Sequence, residues 1–202
     1  MIMKWSSFKR IAAVVAMIVT AADIFAINLR PACVSCQTGG GMGIVSCGPG
    51  WRYGAGQRWE TELFVGFIPK YDSNSSKVTF ALKENFIPWQ IKTGNRFTFE
   101  PLTSSLYFTT VISDRFWVRQ PDRYPSGYYG LSTKIRTNIA VGQRLKWYLP
   151  ESESFCKSVS VYYEIGTCDI YLLSATGNSE IKLRDRLQLC IGVKLTFKKP
   201  EK

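Results

Sequence analysis

Residues 131–148 read LSTKIRTNIAVGQRLKWY, and the reading of this stretch decides the fold. Leu131, Thr133, Ile135, Thr137, Ile139, Val141, Leu145 and Trp147 fall on one face of an extended backbone; Lys134, Arg136, Asn138, Arg144 and Lys146 fall on the other. Successive side chains of a strand point to opposite faces, so a period of two marks a β-strand with two unlike surfaces. The run is much longer than the strand of about 5 to 6 residues usual in soluble domains. It is long enough for the roughly 9 to 11 tilted residues that cross a bilayer.

The same signature recurs outward from there. Residues 187–197, LQLCIGVKLTF, alternate Leu187, Leu189, Ile191, Val193, Leu195 and Phe197 against Gln188, Cys190, Gly192, Lys194 and Thr196. Looser versions cover residues 58–68, 77–91, 96–112 and 158–175. Alternation alone fits a soluble sandwich, with its apolar face in the core, as well as a membrane barrel, with its apolar face in lipid. Strand length and aromatic placement favour the barrel. If strands run up and down from residue 58, Trp59, Trp89, Trp147 and Phe197 all reach one rim, while residues 113–130 form a long loop at the other. The expected fold is therefore all-β, an antiparallel up-and-down transmembrane β-barrel of about eight strands. Six strands are visible in the alternation, and the other two must come from the Gly/Cys-rich segment or the long loop.

Before the barrel, residues 1–26 read as a cleavable signal peptide. Lys4, Lys9 and Arg10 precede a short apolar run, and Ala22 or Ala26 offers a small residue for cutting. The run is too short to cross a bilayer as a helix, and Arg30 and Pro31 ahead of Cys33 do not make a lipobox. Residues 27–57 read as a loose Gly/Cys-rich segment with at most a short strand at 44–47, because glycines 39–41, Gly43 and Gly48-Pro49-Gly50 interrupt any periodicity. No Gly-Lys-Ser/Thr follows these glycines, so they do not form a phosphate loop. The barrel is expected over residues 58–198.

The chain holds 26 Lys and Arg against 15 Asp and Glu, and only Lys4, Lys9, Arg10 and Asp23 of these fall in the leader, so the remainder is strongly basic. For an exported protein, that charge suits lipopolysaccharide phosphates or acidic glycans rather than nucleic acid. Six cysteines suit an oxidising compartment. Cys33 and Cys36 form a lone C-x-x-C with no histidine in the chain to complete a metal set, so disulfide bonding or plain thiols are expected, and no metal or other cofactor. If the last hairpin turns near Ser179, Cys168 and Cys190 come face to face as a possible disulfide.

The last of these strands, closed by Phe197 and taken with the leader, resembles the C-terminal strand of outer-membrane barrels. The pattern over residues 58–197 is similar to the small eight-stranded proteins of the OmpX, PagP and PagL type. That resemblance implies assembly by the outer-membrane insertion machinery and contact with outer-membrane lipid and lipopolysaccharide. Catalytic members of the group depend on histidine, and this chain has none, so no catalytic residue carries over. Ser154 and Lys157 echo a Ser-Lys dyad, but they fall in a polar turn rather than on one helical turn.

On the polar strand faces, Glu60, Glu62, Lys134, Arg136, Arg144, Glu164 and Lys194 are expected to share the lumen as a charge network, since buried charges persist when paired. A glycosidase pair at Glu60 and Glu62 is the catalytic alternative, disfavoured by the surrounding excess of base. In the long loop, Arg115, Trp117, Arg119, Arg123, Tyr124, Tyr128 and Tyr129 interleave bases with aromatics, a composition suited to anionic sugars. Leu63, Val65, Ile135, Ile139, Val141, Ile191 and Val193 are expected to face lipid. Ala140 is expected to face a polar lumen that would accept an arginine. The functional expectation is a non-enzymatic outer-membrane barrel with a structural or surface glycan-binding role, and the alternative is a lipid A or phospholipid enzyme with a histidine-free site.

Overall fold

The alternating runs do become strands. The computed structural model describes residues 30–70, 76–112, 135–150, 155–171 and 187–198. Within them are β1 (Cys33–Gly39), β2 (Val45–Tyr53), β3 (Trp59–Ile68), β4 (Lys77–Phe86), β5 (Ile91–Thr93), β6 (Phe97–Ile112), β7 (Ile135–Tyr148), β8 (Cys156–Cys168) and β9 (Gln188–Phe197). Each pairs antiparallel with its neighbours, β4 bonds across to β6, and β1 bonds to β9, so eight strands close into a barrel. The short β5 pairs with the start of β6 and lies on the same side of it as β4.

The two strands missing from the alternation are β1 and β2. The barrel thus begins at Cys33 rather than at residue 58, and the Gly/Cys-rich segment is part of its wall. Its breakers are accommodated for specific reasons. Pro49 has no N–H to donate, and the ladder between β2 and β3 skips from Cys47 to Gly50. At Gly48, a Cβ would lie 1.6 Å from the carbonyl oxygen of Leu63, so only glycine permits β3 to approach this closely. Farther along, Gly39, Gly40, Gly41 and Gly43 all adopt positive φ, which lets the chain reverse between β1 and β2 in a turn that residues with a Cβ would strain.

The ends of the barrel differ. Trp59 and Phe86 rings lie 4.7 Å apart, Phe97 and Trp147 rings 6.4 Å apart, and Phe155 and Phe197 rings 5.1 Å apart, all at the end where the chain enters β1 and leaves β9. This aromatic end carries the short reversal from Tyr53 to Trp59. The opposite end carries the glycine turn, together with Ile112 and Ile135, which bracket residues 113–134. Strand β8 stops at Cys168, earlier than the alternation suggests, and residues 169–171 form a helical turn.

Polarity is inverted relative to a soluble domain. Leu63, Val65, Ile135, Ile139, Val141, Ile191 and Val193 all stand on the outside, each at least 43% exposed, while Glu60, Glu62, Arg144, Glu164 and Lys194 are at most 2% exposed inside. Ala140 also faces inward, but it does not meet a polar lumen. It packs with Met42, Phe64, Ala81 and Tyr107 in an apolar cluster, which overturns the expectation that an arginine fits there.

Candidate functional site

The lumen is a packed interior, and strand alternation explains its contents. Side chains at every second position point inward, and an eight-stranded ring is just wide enough for them to fill. Large residues face small ones: Tyr162 covers Gly192, and Glu164 lies against Gly142.

Toward the aromatic end, Glu60 is the hub. Arg52 Nε lies 2.7 Å from its carboxylate and Arg144 Nη2 lies 3.1 Å away, while Lys194 Nζ makes a third, closer contact. Lys194 also reaches Glu62 at 3.0 Å. Asn85 donates to Glu62 at 2.7 Å and to Glu60 at 3.3 Å, and Ser35 donates to Glu62. Glu100 pairs with Lys146 at 2.8 Å and with Arg144 at 3.4 Å. Farther up, Lys83 meets Glu164 at 2.5 Å, and the single hydroxyl proton of Ser105 lies between two acceptors, Asn85 Oδ1 at 2.7 Å and Glu164 Oε1 at 3.1 Å. Tyr162 stands among the cations. Lys83, Arg144 and Lys194 lie 5.5, 5.6 and 5.7 Å from its ring centroid, and its hydroxyl donates to Gln37 at 2.9 Å.

Five of the expected network residues, Glu60, Glu62, Arg144, Glu164 and Lys194, are therefore brought together. Arg136 is not among them. It lies at the loop end, partly exposed, 3.9 Å from Asp169, because β7 extends past the packed lumen to the rim. Lys134 lies outside the described residues. The expected network lacks Arg52, Lys83, Glu100 and Lys146, although the alternation already sets Lys146 on the polar face of its strand. Lys83 and Glu100 were recoverable from alternation, since Thr79, Ala81, Lys83 and Asn85 share a face, as do Thr98 and Glu100 before Pro101. Arg52 follows the proline of β2, where no periodicity shows.

Above this charged layer the glycine turn folds over the lumen. Met42 is buried against Phe64 and Tyr107, Thr79 donates to the Met42 carbonyl, and Tyr107 donates to the Gly40 carbonyl at 3.0 Å. This apolar plug separates the ion pairs from a cavity of about 260 Å³ at the loop end, lined by Thr109, Arg136, Asn138, Cys168, Tyr171 and Gln188 among others. Asn138 is buried there and donates to Thr109 at 3.2 Å, while Gln188 Oε1 has no hydrogen-bond partner among the described residues. The seven aromatic and basic residues proposed to bind a glycan, from Arg115 to Tyr129, lie outside the described residues.

The cysteines pair differently from the expectation. Cys36 and Cys47 stand directly opposite on β1 and β2, with Cα atoms 4.2 Å apart, and form a disulfide. Cys168 and Cys190 are free thiols. The register between β8 and β9 sets Glu164, not Cys168, opposite Cys190, a shift of four residues that separates the two thiols along the wall. A hairpin's register follows its turn, and the observed register does not fit a turn centred near Ser179.

Among the described residues, no cluster of three or more His, Cys, Asp or Glu side chains could hold a metal ion. No family model, curated protein or solved structure matches this chain.

Proposed function

We propose that this chain is a Gram-negative outer-membrane protein, exported by residues 1–26 as a signal peptide and inserted as an eight-stranded barrel, with a structural or surface glycan-binding role rather than an enzymatic one. One observation carries the reading: an apolar belt on the outside of the barrel, edged by aromatic rings at one end, surrounds a lumen of paired charges. In water that belt is a large exposed apolar surface; in lipid it is the solvent-matched face. Closure supports the same reading, because a ring leaves no strand edge with unpaired backbone groups. The outward carboxylate of Glu84 fits as well. It lies next to the aromatic rim, where Tyr53 and Thr61 both donate to it.

The partners under this reading are outer-membrane lipid and lipopolysaccharide, and the insertion machinery during assembly. The cavity at the loop end, with Arg136 and Asn138 on a wall that also holds Ile170 and Tyr171, is where an anionic sugar would meet the barrel. The resemblance to barrels of the OmpX, PagP and PagL type belongs to the same proposal.

Fractionation tests it. Expressed in a Gram-negative host, the protein should sediment with outer membranes and resist carbonate extraction. It should also migrate differently on gels before and after boiling. Recovery as a detergent-free soluble species would overturn the reading.

A further inference from the structure

Two chain reversals at the aromatic end, residues 54–58 and 87–96, carry Arg58, Lys92 and Arg96 and no acidic residue. They are neighbours in the wall. The N–H of Ile87 donates to the Arg58 carbonyl at 2.8 Å, and β5 continues β4 along the same side of β6. All three basic side chains are exposed, and none is in an ion pair among the described residues.

The described acids do not offset them. Glu60, Glu62, Glu100 and Glu164 are buried in the lumen, and Asp169 lies at the opposite end beside Arg136. Glu84, on the outer wall nearby, is half-buried and already accepts hydrogen bonds from Tyr53 and Thr61. This sector of the rim therefore presents charge of a single sign, which attracts an anionic neighbour.

Its position decides what that neighbour is. Arg58 directly precedes Trp59, Arg96 directly precedes Phe97, and Lys92 lies three residues beyond Trp89; all three rings are exposed. Exposed rings at the edge of an apolar belt mark the boundary between hydrocarbon and headgroups. Because β3 begins at Trp59 and β6 at Phe97, the two arginines stand on the side of the rings away from the belt, at the level of lipid phosphates. The same end carries short reversals, the start of β1 and the end of β9, while residues 113–134 leave from the other. Short turns of outer-membrane barrels face the periplasm, where the leaflet is phospholipid.

We propose that, on the outer-membrane reading on which this rests, Arg58, Lys92 and Arg96 form a docking surface for anionic phospholipid headgroups of the periplasmic leaflet, of the phosphatidylglycerol class. The guanidinium groups grip phosphate oxygens as forks, and the lysine adds a point charge. A zwitterionic headgroup brings its own ammonium to the same level and gains less from three cations.

The test uses the full barrel refolded into vesicles of phosphatidylcholine with brominated chains, which quench tryptophan. Trp59 and Trp89 lie beside the patch, so their emission reports which lipid stands there. Unbrominated phosphatidylglycerol should relieve quenching more effectively than unbrominated phosphatidylcholine, by about five-fold at low salt, the effect of roughly one basic residue beside an anionic surface. Salt at about 1 M should abolish the preference, since it shortens the reach of a charge to about 3 Å. Combining Arg58→Gln, Lys92→Gln and Arg96→Gln should lose the preference, whereas Lys70→Gln, at the exposed opposite end of β3, should keep it. Insertion is scored separately, by the change in gel migration on boiling. A chain that inserts into phosphatidylcholine but shows no preference would overturn the docking surface and leave the barrel reading intact. So would a preference that survives the triple substitution or that Lys70→Gln removes, while a chain that inserts into neither lipid overturns both.

Discussion

Tyr162 on β8 stands directly opposite Gly192 on β9, and a Cβ at Gly192 would lie 2.3 Å from the tyrosine ring. The glycine is there to leave room for a ring that three cations surround. Gly192→Ala should therefore force the ring aside and destabilise the barrel by about 1 to 3 kcal/mol, the usual cost of overpacking. Tyr162→Phe keeps the ring and loses the hydrogen bond to Gln37, so it should cost about 1 kcal/mol. Urea unfolding of the detergent-refolded protein, followed by tryptophan fluorescence, would rank the two. Equal stability of Gly192→Ala and the parent would remove the packing argument.

The acids of the lumen should not be equivalent. Glu60→Gln leaves Arg52, Arg144 and Lys194 without their shared partner and is expected to cost about 3 to 5 kcal/mol, as is usual when one side of a buried ion pair is removed. Glu62→Gln should cost less, because Lys194 retains Glu60. Glu84→Gln, on the outer face, should fall within about 0.5 kcal/mol of the parent. A Glu60 variant as stable as the Glu84 variant would mean that the network is not organised around Glu60.

On the outer wall, Val141→Arg should cost about 2 to 4 kcal/mol in a bilayer, whereas Val141→Phe should be nearly neutral. Ala140→Arg should be at least as damaging for a different reason, since it drives a long side chain into the cluster of Met42, Phe64 and Tyr107. Refolding yield into lipid vesicles is the measurement. An outward arginine as well tolerated as phenylalanine would count against lipid contact at this height.

For the cysteines, peptide mapping under non-reducing conditions should recover one bridge, Cys36 to Cys47, with Cys33, Cys156, Cys168 and Cys190 as alkylatable thiols after unfolding. Replacing Cys36 and Cys47 by serine should lower stability by about 2 to 4 kcal/mol. Recovery of a Cys168–Cys190 peptide would mean a β8 to β9 register different from the one described here.

How much of this could be read beforehand depended on whether a strand had to compromise with its neighbours. β7 and β9 carry clean alternation, and their inward Arg144 and Lys194 were found from it. β2 is a strand of the same wall, yet the same rule hides it, because Gly48 must admit the β3 backbone and Pro49 interrupts a ladder. There the residue types report the closeness of the next strand rather than the polarity of a face. Arg52 was lost for that reason. The pairing of Cys168 and Cys190 failed differently: a face was assigned correctly, but height along the wall depends on where a hairpin turns, and side-chain pattern does not carry that information.

The seam between β1 and β9 has one more consequence. Cys33 bonds across to Thr196, so the first strand of the barrel waits for the last, and a chain cut short before Gln188 would present β1 and β8 as two raw borders. Such a fragment has no low-energy place in a membrane, where unpaired backbone is expelled. Closure is thus a check on completeness made by geometry: only a chain that reaches β9 can cover both borders.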